Sequence, residues 1–183
     1  MPDPTSLRIR DARADELDTV AGVMVAAYEE YIPPDATGDV LAYREEIRDV
    51  RSRQAHATLI IATECDRILG AVTYFPDAGD DTHAGWPRGW AVIRLLAVHP
   101  EARGRGIGRA LTEECTRRAR DAGARAVGLH TTVFMAVARA MYERMGFVRV
   151  PRFDFTPMPG VLVMAYQLTL ARRGGSREKR RRA

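Results

Sequence analysis

The sequence predicts an α/β fold, a single domain with a mixed central sheet of about seven strands and helices on both faces. Three observations predict it. Residues 92–98 form a nearly continuous apolar run, which suits a strand buried on both faces. A glycine-rich turn at residues 103–109 follows, and apolar residues then recur at helical spacing up to Gly123. Strand and helix patterns alternate along the chain in the order β-α-α-β-β-β-α-β-α-β-β.

The first half of the chain supplies an edge strand, two helices and a hairpin. Residues 7–10 alternate apolar and charged side chains, as in a half-exposed strand. An amphipathic helix with apolar positions from Leu17 to Tyr31 ends at Pro33-Pro34, and a second helix spans residues 40–50. Residues 57–65 and 67–75 then predict two paired strands, followed by a loop at residues 76–89.

The second half repeats a strand-helix unit. Residues 126–131 predict a strand parallel to the central one, because a helical crossover joins the two. Thr132 is the predicted cap of a helix that ends at Gly146. Strands at residues 147–150 and 161–170 complete the domain. The apolar face of that helix comprises Phe134, Val137, Ala138, Met141, Tyr142 and Met145.

Composition indicates a soluble protein. The 183 residues suit one domain, 46% are hydrophobic and 28% charged, and no stretch has the length of apolar residues that a membrane span needs. The first residues lack a secretory signal pattern, so we expect a cytoplasmic protein without a membrane partner. Cys65 and Cys115 predict buried, reduced thiols, and the four histidines lack metal-ligand spacing, so no metal is expected.

The positive net charge comes from the C-terminus. Residues 171–183 hold seven basic residues and one acidic residue, a net of +6, so the overall +4 leaves −2 for residues 1–170. We therefore predict a domain at residues 1–170 and a disordered basic tail at residues 171–183. Such a tail can bind nucleic acid through phosphates, but it lacks interleaved aromatic residues, so a nucleic-acid partner is not favoured.

The glycine-rich turn predicts an anion site. It opens a helix, where the first N–H groups have no intrahelical acceptor and the peptide dipoles leave partial positive charge. Arg103, Arg105 and Arg109 add cationic charge. A P-loop would require Lys-Ser/Thr where this chain has Arg109-Ala110, and the glycine spacing does not fit a dinucleotide fingerprint.

Two motifs carry a family resemblance. Arg103 to Gly108 reads Arg-x-x-Gly-x-Gly after Leu96-Ala97-Val98-His99-Pro100. A second segment, residues 142–147, reads Tyr-Glu-Arg-Met-Gly-Phe, similar to a Tyr-Glu-Lys-x-Gly-Phe motif. Together they resemble the GNAT superfamily of acyl-CoA-dependent N-acyltransferases, over roughly residues 5–170. The resemblance implies the GNAT fold, acetyl-CoA as co-substrate, and N-acetyl transfer to an amine by direct attack.

The resemblance also implies a set of cofactor contacts. Main-chain groups of the central strand are expected to hold the pantetheine arm, and the glycine-rich turn to hold the pyrophosphate. The residues so assigned are Leu96, Ala97, Val98, Arg103, Gly104, Arg105, Gly106, Ile107, Gly108, Arg109 and, on the helix beside the thiol, Ala138.

Tyr142 is the candidate general acid, since a phenol can donate a proton as charge develops on the leaving sulfur. The alternative is a tyrosine that only packs. The family often has a glutamate base where this chain has Val92, and a cofactor-binding asparagine where it has Met135. His130, at the end of its strand, is a candidate base, and a structural or substrate-contacting histidine is the alternative. Other possibilities are Glu29, Glu30, Asp77, water, or an amine that arrives uncharged.

The acceptor is a small-molecule or peptide amine whose identity stays open. In the family, the loop after the first helix and the last strand pair select it, which assigns Tyr28, Tyr31, Phe153 and Phe155 to substrate binding, with Trp86 and Trp90 as possible additions. The alternative function is a CoA-binding regulatory module without transferase activity. A homodimer is possible, because dimers are common among similar proteins.

Overall fold

A computed structural model describes residues 6–32, 37–81, 85–158 and 160–171. Within them, eight strands form one sheet in the order β1-β2-β3-β4-β5-β8-β6, with β7 paired to β8. The β4–β5 pair is parallel and all other pairs are antiparallel. The strands are β1 (Arg8–Asp11), β2 (Thr58–Glu64), β3 (Arg67–Phe75), β4 (Ala91–Val98), β5 (Ala126–Thr132), β6 (Val148–Arg149), β7 (Phe155–Met158) and β8 (Val161–Thr169).

Helices cover both faces of this sheet, which confirms the predicted class. On one face α1 (Leu17–Tyr28), α2 (Asp39–Arg48) and α3 (Val50–Gln54) enclose a core with β2, β3 and β4. On the other face α4 (Ile107–Asp121) and α5 (Ala136–Arg144) enclose a second core. We call these the α1 face and the α4 face. The central strand β4 is therefore buried from both sides, as its continuous apolar run predicts.

Three local predictions are wrong. The sequence predicts that residues 151–160 only separate the last two strands, but they contain β7, which forms because β8 offers a partner that no local pattern reveals. Thr132 does not cap a helix, because it is the last residue of β5, and Met135 precedes α5 instead. Cys65 is exposed in the β2–β3 turn with a positive φ, whereas Cys115 is buried as predicted. Pro33, Pro34 and residues 172–183 of the predicted tail lie outside the described residues.

One glycine of β5 admits a large aromatic ring. The Trp86 indole, 5% exposed, lies flat against Gly128, and a β-carbon at Gly128 would approach its ring atoms to 2.8–3.1 Å. Contacts below 3.0 Å force a shift of ring or backbone. The absence of a side chain at Gly128 thus allows the β3–β4 loop to pack on the α1 face of the sheet.

We predict that Gly128→Ala lowers the free energy of unfolding by about 1–3 kcal/mol, because the added methyl overpacks the site against Trp86. Urea denaturation followed by tryptophan fluorescence measures it. The matched control is Gly22→Ala in α1, where a β-carbon meets nothing within 4 Å and the same substitution should stabilise by up to about 1 kcal/mol. A Gly128→Ala protein as stable as wild type would contradict the close packing.

Candidate active site

A bulge in β4 opens the sheet beside β5. Between the β3–β4 pairs Ala71–Ala97 and Thr73–Arg94, β4 carries one more residue than β3, and within this stretch Leu95 has a φ of +51°. The parallel β4–β5 pairing covers Ala91–Ile93 only. The remainder of β4 separates from β5, and a gap lies between the two strands.

The register decides which main-chain groups face this gap. His99 donates to the Leu69 carbonyl of β3, and main-chain direction alternates along a strand. Ala97 therefore turns its N–H and C=O toward β3, and its carbonyl oxygen lies close to Gly70 of that strand. Leu96 and Val98 turn theirs toward the gap. Of the three residues predicted to hold the pantetheine arm, two have suitably directed main-chain groups and Ala97 does not.

A cavity of about 680 Å³ begins at this gap and continues to the glycine-rich turn. One wall comes from α1 and the residues after it, the floor from β4 and the start of α4, and the other wall from α5. The lining residues are Ala27, Tyr28, Tyr31, Leu96, Val98, Ala102, Arg103, Gly104, Gly106, Ile107, Gly108, Arg109, Phe134, Met135, Ala136, Val137, Ala138, Met141, Arg144 and Met145.

The glycines of the turn serve two different purposes. Gly104 and Gly106 have φ values of +78° and +77°, a left-handed conformation that favours glycine. Gly108 is already helical, and a β-carbon there would lie 3.6–3.8 Å from Val98, Met141 and Leu96, inside the cavity. Its missing side chain leaves room for a ligand against the first turn of α4, where free N–H groups favour an anion. This geometry fits a diphosphate.

Each arginine of the turn has a carboxylate partner. Arg103 binds Glu30 at 2.8 Å and donates to the Ala27 carbonyl of α1 at 3.0 Å. Arg105 binds Glu64 at 2.6 Å, outside the cavity lining, and Arg109 binds Glu113 at 2.7 Å. These side chains are partly or largely exposed, and each exposed ion pair stabilises a protein by at most about 1 kcal/mol. Arg103 and Arg109 could therefore exchange their carboxylates for phosphate at low cost.

The cavity is cationic. Its lining includes Arg103, Arg109 and Arg144 but no aspartate, glutamate or histidine among the residues that the structure describes. The end of the cavity at the glycine-rich turn thus attracts anions, and among the described lining residues there is no carboxylate or imidazole to act as a general base. Val92, where the family often has a glutamate, has an aliphatic side chain without a basic atom and is fully buried in an apolar cluster on the α1 face.

Tyr142 lies behind the cavity wall. It is 4% exposed, its ring lies 5.7 Å from that of Phe147, and it does not line the cavity, although Met141 beside it does. Burial raises the pKa of Tyr142 well above the ordinary value for tyrosine, and the neighbouring Cys115 adds to the effect. The phenol therefore remains protonated at neutral pH, as a hydrogen-bond or proton donor must.

Tyr28 and Tyr31, which the sequence assigns to acceptor binding, both line the cavity. The Tyr28 hydroxyl donates to the Leu96 carbonyl at 3.3 Å. Burial raises the pKa of Tyr28 well above its usual value, and the charges of Tyr43 and Tyr142 raise it further.

His130 lies apart from the cavity, on the α1 face, in a cluster of aromatic side chains. Its ring centroid is 4.8 Å from that of Trp86 and 5.1 Å from that of Phe155, and Phe153 packs on Trp86. His130 Nε2 lies 2.9 Å from the Phe153 carbonyl, which can only accept, so Nε2 carries the proton. Burial lowers the pKa of His130. The histidine is therefore neutral at pH 7, with its lone pair on Nδ1.

The carboxylates considered as bases are occupied elsewhere. Glu29 binds Arg44 at 3.2 Å and Glu30 binds Arg103. Asp77 accepts from the N–H groups of Gly79 and Gly89 at 2.7 and 2.9 Å, and so holds the loop that follows β3.

Sequence reasoning assigned part of the cavity wall to the core. Met141 and Met145 belong to the apolar face predicted to pack, yet they line the cavity together with Arg144, as does Ala138, which was predicted to contact the cofactor. Phe134 and Val137, also predicted to pack, are 63% and 86% exposed at the cavity edge. The helical spacing marked an apolar face but could not show that the sheet beneath it is open.

No group of three or more His, Cys, Asp or Glu side chains that could hold a metal ion occurs in the part of the chain that the structure describes. Within the same part, none of the helices combines the length and the apolar character needed to cross a membrane.

Comparison with known proteins agrees with this geometry. The model of the acetyltransferase (GNAT) family matches residues 22–147. N-alpha-acetyltransferase 30 of Schizosaccharomyces pombe is 37% identical over 93 residues, which are 50% of this chain and 58% of that protein. Mycothiol acetyltransferase of Geodermatophilus obscurus is 34% identical over 107 residues, 55% of this chain and 33% of that protein. The chain thus spans about a third to three-fifths of the length of these relatives.

The fold has relatives among solved structures. The structure of yncA from Salmonella typhimurium with its cofactor acetyl-CoA superposes with a TM-score of 0.61 at 17% identity, covering 90% of this chain and 94% of that one. This similarity concerns the fold. With the family match over more than half of its length, the chain belongs to the acetyltransferase (GNAT) family.

We predict that the stability of the protein falls between pH 7 and pH 5 more steeply in wild type than in His130→Gln. The folded-state pKa of His130 lies below the unfolded value, so the unfolded chain binds the extra proton first as the pH drops. The resulting slope is at most about 1.4 kcal/mol per pH unit. Urea denaturation across this range measures it. His56→Gln, at an exposed histidine, is the control, and parallel slopes for wild type and His130→Gln would refute the assignment.

Proposed function

We propose that this protein is an N-acetyltransferase that uses acetyl-CoA to acetylate the amine of a small molecule or a peptide by direct attack. One observation carries the proposal: a cationic cavity joins a helix N-terminus to the open edge of a central strand. One end suits a diphosphate, and the other suits an extended chain of amides.

The residues take distinct roles in this proposal. The N–H groups at the start of α4, with Arg103 and Arg109, bind the diphosphate. The main-chain groups of Leu96 and Val98 pair with the pantetheine arm. When bound, acetyl-CoA supplies an acetyl group activated as a thioester. Tyr142 gives a hydrogen bond or proton to the leaving sulfur, which requires its hydroxyl to reach the gap from the α4 face.

The proposed fate of the acceptor amine's proton follows from the side chains that line the cavity. Since no carboxylate or imidazole lines the described cavity, we propose that the amine loses its proton to water, or binds uncharged, before attack. Tyr28 and Tyr31 contact the acceptor, whereas His130, Phe153 and Phe155 lie in the aromatic cluster on the α1 face, apart from the cavity. The names of the relatives include both a protein N-terminal acetyltransferase and a small-molecule acetyltransferase, so both amine classes belong in a screen.

The decisive experiment measures thiol release from acetyl-CoA in the presence of an amine library containing N-terminal peptides and small amines. We expect amine-dependent release for at least one class. Binding of CoA without release for any amine would favour a regulatory module, and the absence of CoA binding would refute the proposed function.

We predict that Gly108→Ala weakens CoA binding by about tenfold, because the new methyl group takes up space within the cavity beside the first turn of α4. Titration calorimetry with CoA measures the change. Stability without ligand is the internal control. It should be unchanged or up to about 1 kcal/mol higher, since alanine is the better helix former. Unaltered CoA affinity would place the diphosphate elsewhere.

We predict that Tyr142→Phe lowers kcat by about a hundredfold or more while CoA affinity changes little, because only the proton donor is removed. Single-turnover thiol release measures it. Tyr166→Phe is the matched control, since Tyr166 is equally buried and its hydroxyl already binds Glu143 at 3.0 Å. Full activity of Tyr142→Phe with a rate-limiting chemical step would rule out the role.

A further inference from the structure

Tyr28 reaches the open edge of β4 from the α1 face. It belongs to the last turn of α1, is 8% exposed and lines the cavity. Its hydroxyl donates a hydrogen bond to the Leu96 carbonyl, with 3.3 Å between the two oxygens. A helix residue on one side of the sheet thus bonds directly to the main chain of the central strand.

The bonded carbonyl is one that the sheet leaves without a strand partner. The register turns the main-chain groups of Ala97 toward β3, so the Leu96 carbonyl faces the gap. The pairing of β4 with β5 has already ended at Ile93. Leu96 is half-buried at the cavity, and a carbonyl there that exchanges a protein donor for water loses about 0.5–1.5 kcal/mol. The Tyr28 hydroxyl meets this requirement in the protein without ligand.

Tyr28 can act only as a donor at this place. Burial raises its pKa well above the ordinary value, so the hydroxyl keeps its proton. An extended ligand with amide N–H groups would offer the same carbonyl a donor of the same kind. The two donors, phenol and amide, then compete for one acceptor.

We propose that Tyr28 is a positioning residue that holds the Leu96 carbonyl in the cofactor-free protein and yields it to an amide N–H of the pantetheine arm when CoA binds. The inference rests on the proposed function, since it requires CoA to enter this cavity. Tyr28 keeps the edge of β4 directed into the gap and prevents it from closing on β5. Binding of CoA exchanges one hydrogen bond for another.

The exchange predicts that Tyr28→Phe changes CoA affinity in the direction opposite to that expected for a purely structural residue. In Tyr28→Phe the ring remains but the carbonyl loses its donor, so the free protein is destabilised and the CoA complex is not. CoA should therefore bind about two- to tenfold more tightly to Tyr28→Phe than to wild type. A residue that merely supports the fold or contacts the cofactor would, when truncated, weaken binding or leave it unchanged.

Titration calorimetry with CoA tests the exchange in wild type, Tyr28→Phe and a control. Tyr43→Phe alters a ring 6.4 Å from Tyr28 that does not line the cavity. This control should bind CoA as wild type does. Equal or weaker binding by Tyr28→Phe overturns the inference while leaving the proposed function standing. A wild-type protein that does not bind CoA overturns both.

NMR spectroscopy tests the exchange in the complex of the wild-type protein with CoA. The chain has six tyrosines, so a sample labelled with ¹³C at tyrosine Cζ gives six signals, and the one missing in Tyr28→Phe belongs to Tyr28. Because the Cζ shift reports on the hydroxyl's hydrogen bond, CoA should move this signal. A Tyr28 signal that stays in place at saturating CoA overturns the inference.

Discussion

The site depends on the left-handed conformation of Leu95 in the middle of the central strand. A leucine at a φ of +51° stores strain of about 1–3 kcal/mol, and such strain persists only where the surroundings impose it. Here they do, because Leu95 is buried under α1 in the core of that face. Burial of a leucine side chain contributes about 1.5–3 kcal/mol, which is enough to offset the strain.

The extra residue has consequences on both faces of the sheet. Arg94 and Leu95 project to the same face, which interrupts the alternation, while Leu96 and Val98 line the cavity on the other side. The parallel ladder to β5 cannot continue past Ile93, so main-chain groups that a regular sheet would consume become available to a ligand. A single irregularity thus converts a structural strand into one wall of a binding site.

The chemistry of the site is divided between the two faces. Cationic side chains and helix N–H groups lie on the α4 side, where a diphosphate fits, and tyrosines reach the gap from α1. The candidate base His130 is neutral and anchored to the Phe153 carbonyl within an aromatic cluster. Val92 lies in the core and no carboxylate lines the described cavity, and on this basis we propose that the acceptor amine loses its proton to water or binds uncharged.

The sequence by itself determined the α/β class, the buried central strand, the parallel partner β5 and the glycine-rich turn at the start of α4, because these follow from local periodicity and from the conformational needs of glycine. Only the tertiary structure decided that Ala97 turns toward β3, that Tyr142 stands behind the cavity wall, and that Tyr28 bonds to Leu96. The first and the last depend on one extra residue in β4, which shifts the register against β3, and the second depends on how α5 packs in the core of the α4 face. Register is the alignment of one strand with another that is distant in sequence, so the residue pattern of a single strand cannot predict it.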